Sequence, residues 1–146
     1  MLEFNIICLL QFVLTWILVG LTWFVQLVHL PLCQKIKEGF VEYERFYLKR
    51  ASLLVGPIMF LDAVSAIFLL HLAKKGINAH FATTNLILLI VIWLSIFIFQ
   101  MGLHQKLSIR FSKKILEVLI AINWLRTTLT TIKGIVMLFL LNFILM

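Results

Sequence analysis

The sequence predicts an all-α fold, an integral-membrane four-helix bundle with an amphipathic cytoplasmic segment between helices 1 and 2. Three observations carry this expectation. Hydrophobic residues fill 63% of the 146 positions, where soluble domains hold roughly 45–50%, and the mean hydropathy is +1.11. The apolar residues gather in four runs, 4–30, 51–72, 81–103 and 115–146, each longer than the roughly 20 residues that cross a ~30 Å hydrocarbon core. The basic residues fall mostly between the runs. No internal repeat or low-complexity linker divides the chain, so one membrane domain is expected over 1–146.

The formal charge of +7 does not point to nucleic acid. Lys35, Lys37, Arg45, Lys49 and Arg50 follow the first run, and Lys106, Arg110, Lys113 and Lys114 follow the third. Only Lys74 and Lys75 lie between the second and third. By the positive-inside rule, loops one and three face the cytoplasm and both termini face outward. The expected address is a bacterial inner membrane, with the lipid bilayer as the main partner.

Taken in order, the first run has Glu3, no basic flank and no small-residue cleavage site, so it reads as a retained helix rather than a signal peptide. Cys8 and Cys33 are 25 positions apart, about 37 Å along one helix, too far to pair within the chain. In loop one, Ile36, Phe40, Tyr43 and Tyr47 share a helical face. The segment either lies flat at the interface, where it would serve as a lid over the bundle, or helices 1 and 2 project into the cytoplasm and turn near Gly39. Helix 2 carries Gly56-Pro57, a proposed bend, and a strip of small residues, Ser52, Gly56, Ala63 and Ala66, suited to close helix contact. Gly76 and Asn78 mark the second turn. Helix 3 is apolar apart from Asn85, Ser95 and Gln100.

Polar groups within the runs mark the candidate site, because a charged residue at the centre of a helix costs about 2.5–3.5 kcal/mol even on the lenient insertion scale. They concentrate in TWFVQLVHLPL, with Gln26 and His29, and in NWLRTTLTT, with Asn123 and Arg126. Asp62 and Arg126 each lie eleven residues into an apolar run entered from the cytoplasm, about 16 Å deep, so they are expected to form a structural ion pair. His29 and His104 end helices 1 and 3 on the same side, each with a glutamine one turn above, Gln26 and Gln100. Two imidazoles on different helices, with Glu44, Tyr47 and Glu117 near their level, can ligate a transition metal or a haem. They can equally make ordinary interfacial hydrogen bonds. Arg126 and Lys133 suit an anionic group such as a quinone headgroup, a carboxylate or a lipid phosphate, unless Lys133 snorkels outward.

QLVHLPL, the YER segment before Lys49-Arg50, GPIMFLDAVSA, GLHQKL and NWLRTTLTTIKG together resemble a group of small bacterial four-span membrane proteins of unassigned function. That group is similar in size and helix layout to anthrone oxygenase-like membrane proteins. The resemblance covers most of the chain and marks Gln26, His29, Arg50, Asp62, His104, Asn123 and Arg126. Leu30, Tyr47 and Gly102 depart from its pattern; Tyr47 stands where the pattern has a histidine, which counts against a metal site if that histidine is a third ligand in the group.

These readings converge on a protein whose polar interior binds a cofactor, a metal or a hydrophobic or anionic small molecule for redox-type chemistry. His29, His104 and Arg126 are its candidate catalytic groups, Gln26, Gln100 and Asn123 its candidate cofactor contacts, and His29 and His104 its candidate metal or haem ligands. Two other classes stand beside it. One is a non-catalytic accessory or assembly subunit of a larger membrane complex. The other is a small proton-coupled transporter, which four helices would form only as a homo-oligomer and which would use Asp62 for coupling.

Overall fold

In the computed structural model, which describes residues 2–73 and 76–145, all four apolar runs are helices. We label them α1 (Leu2–Cys33), α2 (Phe40–Leu72), α3 (Ile77–Leu107) and α4 (Lys113–Leu145). Each is long and apolar enough to cross a membrane. Lys74 and Lys75, the basic residues expected at the second loop, lie outside the described residues. Successive helices run antiparallel, so the ends of α1 and α3 and the starts of α2 and α4 form one strongly basic end.

The helices reach farther toward that end than hydropathy alone predicts. The segment FVEYERFYLKR is charged but rich in good helix formers, and it adds its residues to the front of α2. The amphipathic segment between helices 1 and 2 is therefore not a separate element. The chain leaves α1 at Cys33 and turns at Gly39, whose φ of 70° favours glycine, before entering α2 at Phe40. The segment is thus continuous with α2 rather than a helix of its own. α4 starts after Ser112, whose Oγ accepts from the Ile115 amide at 3.4 Å. α2 continues as one helix through Pro57.

The packed face of α2 also differs from the expected one. Of the expected strip Ser52 and Gly56 are exposed and Ala66 is buried; the other buried residues of α2 are Phe40, Glu44, Asp62, Ser65 and Leu69. A close helix contact is found at a glycine of α4. A methyl group at Gly134 would stand 3.2 Å from a Val19 methyl carbon and 3.4 Å from the Trp16 ring, so glycine lets α1 and α4 touch.

Burial divides the interior into three parts. Cys8, Leu69, Ala82, Met137 and Leu140 form an apolar cluster near the chain termini. Leu30, Cys33, Phe40, Leu107, Leu116 and Leu119 form another at the basic end. Between and beside them the buried side chains are mostly polar. An apolar solvent outside and a polar filling inside invert the soluble pattern, and that filling must satisfy its own hydrogen bonds.

Candidate functional site

The polar interior has two layers. In the deeper one, Lys133 Nζ meets both carboxylate oxygens of Asp62, at 2.7 and 2.9 Å. Gln11 and Thr15 of α1 donate to the same carboxylate at 2.9 and 3.1 Å. Thr15 also accepts from Lys133 at 2.8 Å, and Ser65 donates to the Gln11 carbonyl. Every member is buried, and three helices are tied together.

The expected Asp62–Arg126 pair is thus replaced by Asp62–Lys133. The physical reason is helix length. Asp62 lies 22 residues past the start of α2 at Phe40, and Lys133 lies 20 past the start of α4 at Lys113. Arg126 is seven residues before Lys133, about 10 Å nearer the basic end. Depth counted from the apolar runs left out the helical turns that precede the apolar part of α2. Lys133 does not snorkel outward; it is 1% exposed.

The second layer lies nearer the basic end and gathers Gln26, His29, Gln100, His104, Asn123 and Arg126. Two π-helical turns, Val25–His29 in α1 and Ile96–Gln100 in α3, help deliver them. Such turns insert one extra residue and occur often at functional sites. Asn123 Nδ2 donates to Gln26 Oε1 at 2.7 Å. Arg126 Nη1 donates to Gln100 Oε1 at 3.3 Å. The hydroxyls of Thr127 and Thr130 are returned to carbonyls of their own helix at 2.9 and 2.8 Å, so the threonine face serves packing first.

His29 and His104 sit in this layer with different partners. The His29 ring stacks on Tyr47 with centroids 3.8 Å apart. Its Nδ1 is 3.2 Å from the Tyr43 hydroxyl and its Nε2 3.5 Å from Cys33 Sγ. His104 Nδ1 is 2.5 Å from a carboxylate oxygen of Glu44, which is 2% exposed. Glu44 and His104 lie within electrostatic reach of His29, and Tyr47 within reach of Arg126. Glu117 is instead exposed and 3.9 Å from Lys113.

As a haem or metal site this arrangement fits poorly. Both ring nitrogens of His29 already face protein groups. Among the described residues, no three His, Cys, Asp or Glu side chains converge as a metal-binding group. His104 keeps Nε2 available, one donor where an axial pair needs two.

Arg126 is the layer's unusual member. Among the described residues no carboxylate lies within ion-pair distance of it. Its Nε and the neighbouring Gln100 Nε2 are both buried without a hydrogen-bond partner. Arg126 also lines a cavity of ≈ 20 Å³ together with Thr22, Met59, Asp62, Trp93 and Lys133, enough for about one water-sized group. Among the described residues neither donor finds an acceptor, and of the two only Arg126 lines the cavity.

Sequence reasoning missed the partners more than the site. Gln11, Thr15 and Ser65 were passed over, although Gln11 and Thr15 stand at i and i+4 and Asp62 and Ser65 at i and i+3, each pair on one helix face. The Tyr43 contact to His29 had no sequence signal beyond the shared face of loop one. Comparison with protein-family models, with characterised proteins and with solved structures finds no match.

Proposed function

We propose that this chain is a polytopic inner-membrane protein, basic end toward the cytoplasm, that binds a hydrophobic molecule by an oxygen of its headgroup. The headgroup is anionic, or becomes so during reaction, as a quinone does on reduction. The observation that carries this reading is the pair of orphaned donors on Arg126 and Gln100. In a low-dielectric interior, leaving such donors unmet costs about 1–3 kcal/mol each, and an acceptor oxygen recovers that cost. The cavity beside Arg126, ≈ 20 Å³, has room for one such oxygen, and the apolar body of the ligand stays outside it, toward the lipid.

Chemistry of redox type follows from the neighbouring groups. If an external electron carrier supplies two electrons to a bound quinone, two protons must reach its oxygens. His29, hydrogen-bonded to Tyr43, and His104, hydrogen-bonded to Glu44, are the groups that would exchange them. Arg126 stabilises the oxyanion between electron and proton transfer. The resemblance to anthrone oxygenase-like proteins points toward the same class of flat, oxygenated, hydrophobic substrate.

The accessory-subunit reading draws on the deeper layer, which has no free donor and suits helix assembly. The transporter reading is less well supported, because Asp62 must break four hydrogen bonds before it can cycle a proton.

The test is to purify the protein gently in detergent, record its ultraviolet–visible spectrum, and analyse an organic extract by mass spectrometry. Arg126→Gln and the His29→Ala/His104→Ala variant are treated alongside. A lipophilic carbonyl or acid retained by the wild type and lost from Arg126→Gln supports the proposal. Identical extracts from the two would overturn it. A haem or metal signal lost only with the histidines would restore the cofactor reading.

A further inference from the structure

The basic end carries a feature that the Arg126 layer does not use. Phe111, 42% exposed, stands between two open grooves. One, of ≈ 670 Å³, runs past Lys37 and Arg45; the other, of ≈ 470 Å³, runs past Lys106 and Arg110. Arg45 is held in place, because its Nε donates to the Ser108 carbonyl at 2.7 Å. That bond ties α2 to the turn between α3 and α4 while the guanidinium lines the first groove. Among the described residues, the only acidic one lining either groove is Glu42. Ile109, 75% exposed, puts a second apolar side chain beside the same cations.

One anchored arginine and three exposed cations next to exposed apolar side chains, at the end of membrane-length helices, match the boundary between phosphate and acyl chain. We infer that this rim is a binding site for an anionic phospholipid. The phosphodiester lies between Arg45 and Arg110, which suit phosphate by their forked donors, with Lys37 and Lys106 alongside. The upper acyl chain lies against Phe111 and Ile109. A zwitterionic lipid brings an ammonium group into the same positive field and is disfavoured. The inference needs only the membrane setting and stands apart from any ligand at Arg126.

The test reconstitutes the full chain in nanodiscs containing phosphatidylglycerol and phosphatidylcholine and counts retained lipids by native mass spectrometry. The Lys37→Gln/Arg110→Gln variant removes two exposed charges and leaves the Arg45–Ser108 bond intact. The wild type is expected to retain phosphatidylglycerol selectively, and the variant to lose roughly five-fold selectivity per charge removed. Selectivity should also fall when the wild type is exchanged into high salt before release. Equal retention of the two lipids by the wild type, or unchanged selectivity in the variant, would overturn the site.

Discussion

Lys133 and Asp62 face each other in the middle of the bundle with Nζ 2.7 Å from one carboxylate oxygen and 2.9 Å from the other, and neither side chain is more than 2% exposed. The pair joins α2 to α4, and Gln11 and Thr15 bring α1 to the same point. Removing one partner strands a charge in a medium that does not solvate it. Asp62→Leu and Lys133→Met are each expected to lose about 3–5 kcal/mol, read as a lowered melting temperature in detergent. The double variant should recover most of that loss. Two single variants that melt like the wild type would dismiss the clamp.

A second pair, buried on its carboxylate side, follows the same rule nearer the basic end. Glu44 is buried against His104. His104→Ala should destabilise the protein by about 3 kcal/mol, and adding Glu44→Gln should restore part of it by removing the stranded carboxylate. Thermal melts of the single and double variants check this; equal stability of both would show that Glu44 finds another partner.

Asn85 offers the opposite case. It is fully buried, and neither its amide nitrogen nor its oxygen has a partner. Replacing it with Leu removes two unmet polar atoms and fills the same space, so Asn85→Leu should be stabilising by about 1–2 kcal/mol. A clear loss of stability would mean that the amide is satisfied by a group of the native membrane protein.

Gly134 sets the spacing of α1 and α4. With Val19 and Trp16 already in reach of an added methyl group, Gly134→Val overpacks the contact and should cost about 1–3 kcal/mol. Gly56, which has nothing within 4 Å of a Cβ, should accept the small substitution Gly56→Ala without comparable loss. Parallel melts of the two variants distinguish them.

Much of this architecture is legible in the sequence because hydropathy and charge report on the same boundary. The four spans and the shared end of His29 and His104 follow from those two signals. So does the layer containing Gln26, Gln100, Asn123 and Arg126. What is hidden is register. FVEYERFYLKR is polar enough to end an apolar run yet helical, so α2 begins well before its apolar portion and Asp62 meets Lys133 rather than Arg126. The π-helical turns at Val25–His29 and Ile96–Gln100 leave no mark in a periodicity reading, although they rotate the site residues. Polar residues such as Gln11 and Thr15 are small signals in a long apolar helix, and only the neighbouring helices give them a role.

The central claim is that Arg126 and Gln100 hold an acceptor oxygen of a hydrophobic ligand. The most direct measurement titrates the protein in nanodiscs with a short-chain quinone and follows fluorescence quenching of Trp93, which lines the cavity with Arg126. Trp93→Phe identifies its share of the signal. Loss of a charge-assisted hydrogen bond is worth about 1.5–3 kcal/mol, so Arg126→Gln should raise Kd by roughly ten-fold or more while the helical content is unchanged. Saturable Trp93 quenching that weakens in this way is the predicted result. The absence of saturable quenching in the wild type, or one Kd shared by wild type and Arg126→Gln, would contradict the account.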